Sequence, residues 1–311
     1  MRALITGACG FVGSYLVRHL VEAGDTVFGT CLRLQESKNT ECEYHTLDIC
    51  DEAQCRAVIK TVQPDVIYHL AAITFVPTAE QDFQATLATN VGGTYNLLRA
   101  CQEARHKVRF VFVSSSEVYG RIVPKDLPLT EQQPLHPANN YSLTKAMAEM
   151  VVQRYNGQAG IQSVIARPFN HTGAGQEAQF VASSFAKQLA QIAKGFLPPV
   201  IEVGNLEAKR DFSDVRDIVR AYRLIADRGE GVYNLCSGHS VAIRTLLDTL
   251  IAISGQQVSV QVVAERYRPL DVPEIHGDTN RLRNELGWVS RYSLEETLES
   301  LYTHWLEKVA R

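Results

Sequence analysis

Short, largely apolar runs alternate with stretches of helical length through the first half of this chain, and no other feature constrains its fold as strongly. "RALIT" (2–6), "DTVFGT" (25–30), "YHTL" (44–47), "DVIYHLAA" (65–72), "VRFVFVSSS" (108–116) and "QSVIARP" (162–168) read as strands. Helical patterns separate them at 11–24, about 51–61, near 82–104 and around Tyr141. Strands that are apolar at consecutive positions belong to a parallel sheet with helices on both faces. The pattern predicts an α/β, doubly wound parallel sheet.

After Arg167 the alternation loosens into "RPFNHTGAGQ" (167–176), and helices dominate, near 178–194, 214–227, 241–253 and 292–309. Short strands are expected around 199–203, 231–235 and 257–263. This divides the chain into residues 1–167, with a return segment near 213–238, and a smaller, mostly helical lobe from 168–212 and 239–311. With 311 residues and 45% apolar content, a large core is affordable.

Between the first strand and its helix stands "ITGACGFVGSYL", which places Gly7, Gly10 and Gly13 at a sharp strand-to-helix turn. The first glycine permits the turn, the second lets backbone approach a pyrophosphate, and the third lets helix pack on strand. Amides at the helix N-terminus then face the phosphates. This is the dinucleotide site of a Rossmann fold. An acidic residue usually ends the second strand of an NAD binder. Here Thr30 and Cys31 are neutral and Arg33 follows, so nothing repels a 2′-phosphate and Arg33 can pair with one. NADP(H) is favoured, with NAD(H) left open. Asp48, ending the third strand, can accept from an adenine amino group or cap the next helix.

"NNYSLTKAMAEM" (139–150) puts Tyr141 and Lys145 four apart, on one face of a helix. An ammonium there is expected to lower the tyrosine pKa and make the phenol an acid–base group. "SSSEVYG" (114–120) places Ser115 and Ser116 at the C-terminal edge of the fifth strand, where open α/β sheets bind ligands. A serine hydroxyl there can hold a carbonyl while Tyr141 protonates it.

Other classes are disfavoured. The formal net charge is −3 and no long run of like charge stands out, which gives no reason to expect nucleic acid. No stretch of 18 apolar residues predicts a membrane span, and the first residues do not read as a signal peptide. Seven cysteines stand singly, without CxxC, as reduced thiols in a cytoplasmic protein do, and no metal site is expected.

Gly7-x-x-Gly10-x-x-Gly13, Ser115 and Tyr141-x-x-x-Lys145, in that order, resemble an extended short-chain dehydrogenase/reductase over essentially the whole chain. "HLAAITFVP" (69–77) and "TNVGGTYNLLRAC" (89–101) resemble that family's cofactor loop and dimer-forming helix. The resemblance implies Ser115, Tyr141 and Lys145 as catalytic residues and a homodimer through two helices. It also implies cofactor contacts from Phe11, Val12, Ile49, Leu70, Ala71, Ala72 and Asn90, and from Tyr141 and Lys145 themselves. "RPFNHTGAGQEAQFVASSFAKQLAQI" (167–192), "VGNLEAKRDFSDVRD" (203–217) and "RPLDVPEIHGDTNRLRNELGW" (268–288) resemble enzymes of GDP-mannose derivatives. The second lobe is thereby implied to bind a GDP-sugar through Asn170, Val181, Lys187, Arg210, Arg268 and Asp271, with Ser116 beside the sugar. Arginine forks suit its diphosphate. Within that neighbourhood the chain reads as a reductase of GDP-4-keto-6-deoxy-D-mannose, giving GDP-D-rhamnose or GDP-6-deoxy-D-talose. The region 31–47 is too short for the basic arm of the dehydratases. Glu117 nevertheless leaves a base for a 4,6-dehydratase, and a 4-epimerase would use the same Ser, Tyr and Lys.

Overall fold

A computed structural model describes residues 1–33, 41–266 and 272–309. The chain begins with β1 (Arg2–Thr6), α1 (Phe11–Glu22), β2 (Thr26–Cys31), β3 (Glu43–Thr46), α2 (Glu52–Val62) and β4 (Val66–His69). It continues through α3 (Val76–Gln81), α4 (Phe83–Leu87), a π-helical turn (Ala88–Gly93), α5 (Thr94–Ala104) and β5 (Val108–Val113). A 3₁₀ turn (Ser116–Tyr119) and a loop lead to α6 (Asn140–Tyr155), β6 (Ile161–Pro168), β7 (Asn170–Thr172) and α7 (Val181–Ala193). Next come β8 (Val200–Val203), β9 (Lys209–Arg210), β10 (Phe212–Asp214), α8 (Val215–Arg228), β11 (Gly231–Leu235), β12 (Val241–Ala242) and α9 (Ile243–Ser254). The described chain ends with β13 (Ser259–Val262), β14 (Glu274–Ile275), α10 (Asn280–Leu286) and α11 (Leu294–Lys308).

Seven strands form one parallel sheet in the order β11-β6-β5-β4-β1-β2-β3. Successive strand side chains point to opposite faces, and β5 shows how both faces are filled. Val111 joins the layer under α1 and α8, with Ile5, Leu16 and Tyr222. Phe110 and Phe112 join the opposite layer, with Leu97, Ala148 and Val152 of α5 and α6. These residues are all essentially inaccessible to solvent. At about 1.5–3 kcal/mol for each large apolar side chain buried, the two layers hold the sheet between its helices. A third core, of Phe185, Leu189, Leu246, Leu301 and Trp305, joins α7, α9 and α11 over β8.

The doubly wound parallel sheet is the predicted one, and several boundaries differ. The single helix expected near 82–104 is broken by the π turn. There Gly93 leaves room for Ile49, whose side chain would lie 2.5 Å from a Cβ at that position. The strand expected to reach residue 116 stops at Val113. Ser114 turns its hydroxyl inward to Glu149, and the Ser115 hydroxyl caps the 3₁₀ turn at Glu117 N. Asp48 does not cap α2. It accepts from the Cys50 amide at 2.9 Å, and Asp51 takes the Ala53 and Gln54 amides instead. None of the seven cysteines forms a disulfide.

Candidate active site

The carboxyl ends of β1, β4 and β5 converge with the start of α6. At the end of β1, Gly7 adopts φ +72°, and a Cβ there would lie 3.0 Å from the Ala71 nitrogen. The turn therefore packs directly on the loop after β4. Gly10 caps α1 without a side-chain hydrogen bond, and no acidic residue occupies the first turn. The helix amides are thus left for an anion, with Phe11 and Val12 half-buried behind them. Thr30 is buried, and its carbonyl accepts from the Ala8 amide at 3.0 Å. Arg33 is exposed beyond β2, Ile49 is buried, and Asp48, Leu70, Ala71 and Ala72 are half-buried. These residues border the place where strand order reverses beside β1, the ligand crevice of such sheets.

Asn90, expected among the cofactor contacts, is held by bonds of its own side chain. It is buried, its Oδ1 accepts from the Ile73 amide at 2.8 Å, and its Nδ2 donates to the Ile73 carbonyl and Thr144 Oγ1, each at 3.0 Å. With both amide hydrogens engaged, it clamps the loop after β4 to α6. Sequence reading also missed a buried histidine. Thr6 Oγ1 donates to His69 Nδ1 at 2.7 Å, and His69 Nε2 donates to Thr94 Oγ1 at 3.0 Å, while Thr94 donates to the Asn90 carbonyl. That arrangement fixes the neutral Nε2–H tautomer. Burial, with the Lys145 charge adding, holds the imidazole down to a pKa of about 3.

Asn139 starts α6. Its Oδ1 accepts from the Ser142 amide at 2.8 Å, and the Ser142 hydroxyl accepts from the Asn139 amide at 3.1 Å. This reciprocal cap, worth about 1 kcal/mol, places Tyr141 in the first turn and Lys145 one turn on. Both are buried, at 8% and 4% exposure. Ser115 lies beside the Tyr141 phenol, near enough to favour its ionised form, and Lys145 Nζ lies 4.8 Å from the centroid of the Phe112 ring. Glu117 Oε2 accepts from Asn139 Nδ2 at 3.2 Å. The structure thus brings Ser115, Glu117, Tyr141 and Lys145 together.

Electrostatically the cluster departs from the expected depression of the phenol. Burial pushes Tyr141 up to about 12, the neighbouring Ser115 hydroxyl draws it back and the Glu117 carboxylate raises it. Burial lowers Lys145 to about 8, opposed by Glu149. Both side chains lie beneath α6 and β5, where desolvation outweighs their charges.

The substrate candidates are dispersed. Ser116 is buried in the 3₁₀ turn, Asn170 is exposed on β7 and Val181 is half-buried at the start of α7. Arg210, half-buried on β9, donates to the Lys209 carbonyl at 2.7 Å. Lys187 lines a cavity of about 530 Å³ between α7, β8 and β13, with Ser184, Gln188, Glu202 and Arg266. Arg266, which the sequence reading passed over, bridges Ser184 Oγ at 3.1 Å and Glu202 Oε2 at 3.2 Å. Ser115, Tyr141 and Lys145 do not line this cavity. Arg268 and Asp271 lie outside the described residues.

Residues 4–301 match the sequence profile of the GDP-mannose 4,6 dehydratase family. The chain belongs to this family. It is an enzyme of the short-chain dehydrogenase/reductase type. A GDP-6-deoxy-D-mannose reductase from Pseudomonas aeruginosa is 33% identical, covering 99% of this chain and 98% of its own. A GDP-6-deoxy-D-talose 4-dehydrogenase from Aggregatibacter actinomycetemcomitans is 31% identical, covering 97% of each chain. The solved structure of RMD from Pseudomonas aeruginosa complexed with NADPH superposes with a TM-score of 0.89 and 30% identity, covering 99% of this chain and 100% of its own. Among the described residues, no helix is long and apolar enough to cross a membrane.

Proposed function

We propose that this chain reduces the 4-keto group of GDP-4-keto-6-deoxy-D-mannose, yielding GDP-D-rhamnose or GDP-6-deoxy-D-talose. The observation that carries the reading is the buried Tyr141 phenol, set beside Ser115 where the carboxyl end of β5 meets the start of α6. Reduction needs a proton donor, and a phenol held up to about 12 retains its proton at neutral pH. Similarity to the reductase and the talose dehydrogenase supports the choice of sugar.

The uncapped start of α1 and the glycine cradle fit a dinucleotide pyrophosphate. Gly7, Gly10, Thr30 and the loop Leu70–Ala72 would hold it, and when bound it supplies the hydride. Ser115 holds the carbonyl oxygen, Tyr141 donates the proton to it, and the Lys145 ammonium stabilises the phenolate left behind. Arg33 favours NADP(H). Replacing Arg33 with Ala is expected to narrow an NADPH-over-NADH preference about tenfold in kcat/KM, within the strength of one charge-assisted contact. An unchanged ratio removes Arg33 from cofactor choice.

Asn170, Val181, Lys187, Arg210, Arg268 and Asp271 remain our candidates for the GDP moiety. Residues 168–212 and 239–311 remain our candidate for the lobe that carries it. A homodimer through α5 and α6 is supported by Tyr95, Leu143 and Met150, which are 43%, 38% and 68% exposed on those helices.

The second reading, a 4,6-dehydratase, is favoured by one observation. The Glu117 carboxylate lies close enough to Tyr141 to raise its pKa and is positioned by Asn139. The deciding assay supplies GDP-mannose alone, then GDP-4-keto-6-deoxy-D-mannose with NADPH or NADH. Consumption of reduced cofactor only with the keto sugar supports the reductase, whereas dehydration of GDP-mannose without added reductant overturns it.

A further inference from the structure

Beneath the Ser115–Tyr141–Lys145 cluster lies a second group of polar side chains that the proposed reaction leaves without a task. Glu149, one turn beyond Lys145 on α6, is completely buried. Its Oε1 accepts from Ser114 Oγ at 2.5 Å and from Arg167 Nε at 2.9 Å, and its Oε2 accepts from Arg167 Nη2 at 2.7 Å. Arg167, 4% exposed on β6, also donates to Tyr119 Oη at 3.0 Å and to the Glu131 carbonyl at 3.2 Å. Tyr119 donates to Asn234 Oδ1 at 2.6 Å, and the Asn234 amide donates to the Glu131 carboxylate at 2.9 Å. A continuous, hydrogen-bonded network thus runs from α6 through β6 to β11.

A buried ion pair is weak evidence for stability, since apolar residues of similar volume often serve as well. The position of this one gives it a different use. Ser114 immediately precedes Ser115, and Lys145 precedes Glu149 by one helical turn. A single carboxylate therefore ties the strand end that carries the serine to the helix that carries the tyrosine and lysine. We propose that Glu149, locked by Arg167, is a positioning residue that holds the Lys145 ammonium and Ser115 in register with Tyr141. This inference rests on the reading of that cluster as the proton-transfer site.

The groups around Lys145 leave Glu149 a clear influence. Its own helix contributes Tyr141 and Glu149. β4 contributes His69, which is neutral. β5 contributes the uncharged Phe112 ring. On the 3₁₀ turn, Glu117 acts on Tyr141. The Arg167 charge on β6 is taken up by Glu149 itself. Glu149 is the group that raises Lys145 against burial. Removing its charge lowers Lys145 further, so the ammonium loses its proton at a lower pH.

The test compares wild type, Glu149→Gln and Glu149→Asp in two ways. The first is the pH profile of kcat for keto-sugar reduction. The second is the titration of Lys145 followed by NMR on ¹⁵N-lysine-labelled protein, its signal assigned with Lys145→Met. In Glu149→Gln, the alkaline limb and the Lys145 titration are expected to move about one pH unit or more toward acid. Glu149→Asp, which keeps the charge, is expected to titrate near wild type with a lower Tm. Should Glu149→Gln fail to fold, the double variant Glu149→Gln/Arg167→Gln avoids stranding a buried charge and is expected to move Lys145 in the same direction by a smaller amount, because a positive charge leaves with the negative one. A folded variant whose Lys145 titrates as in wild type overturns the proposal. A wild-type protein that reduces no keto sugar sinks the proposed reaction instead, and the NMR comparison still judges the network.

Discussion

Tyr141→Phe is expected to lower kcat for keto-sugar reduction about 10²–10⁴-fold, the range of positioned general acid catalysis. The phenylalanine ring fills the same buried space, so α6 keeps its cap at Asn139 and its packing on β5. Only the hydroxyl is lost, and with it the proton for the alkoxide. Cofactor affinity, measured by fluorescence titration, should stay within a few-fold of wild type, and KM should change far less than kcat. That pattern identifies an interaction made chiefly in the transition state. Retention of more than a tenth of the wild-type kcat would mean that another group donates the proton.

The largest structural effect is expected at Gly13. A Cβ there would stand 2.3 Å from the Gly7 carbonyl oxygen and 2.7 Å from the Ala8 Cα. Both are backbone atoms of the turn that starts α1, so no flexible side chain can move aside. Gly13→Ala must lift α1 off β1, at a cost at or above the usual 1–3 kcal/mol of overpacking. Lifting the helix also displaces the amides that face the cofactor crevice. Both a Tm lowered by several degrees and a dinucleotide Kd raised more than tenfold are expected, read by calorimetry and fluorescence titration. Gly92→Ala is the control, because a Cβ at Gly92 meets nothing within 4 Å. If the two variants melt together, close helix–strand contact is not what Gly13 supplies.

What could be read from the sequence was local. The β1 turn announces itself through three glycines within seven residues, and α6 through Tyr141 and Lys145 one helical turn apart. Their meeting with Ser115 follows from the parallel sheet, which delivers every strand end to one edge. Other contacts have no such signature. Glu149 and Arg167 stand 18 residues apart, and Thr6 and His69 stand 63 apart. Each pair joins two different elements, so no period along one helix or strand links its members. The strands β9, β10, β12 and β14 have two or three residues each, too few for alternation to register. The expected fall in the Tyr141 pKa failed for a related reason. Spacing along a helix reveals which charges are neighbours but not how completely water is removed from both.

The core of Phe185, Leu246 and Trp305 packs largely on its own helices, apart from the layers that sandwich β1 and β5. Residues lining the cavity beside Lys187 can consequently be exchanged without repacking the sheet whose edge carries Tyr141. In the reading proposed above, where that lobe binds the GDP-sugar, recognition and reaction are thereby free to diverge separately. A descendant could acquire a different ligand through one lobe while its hydrogen-transfer edge stayed intact, or keep the ligand and alter the outcome at that edge.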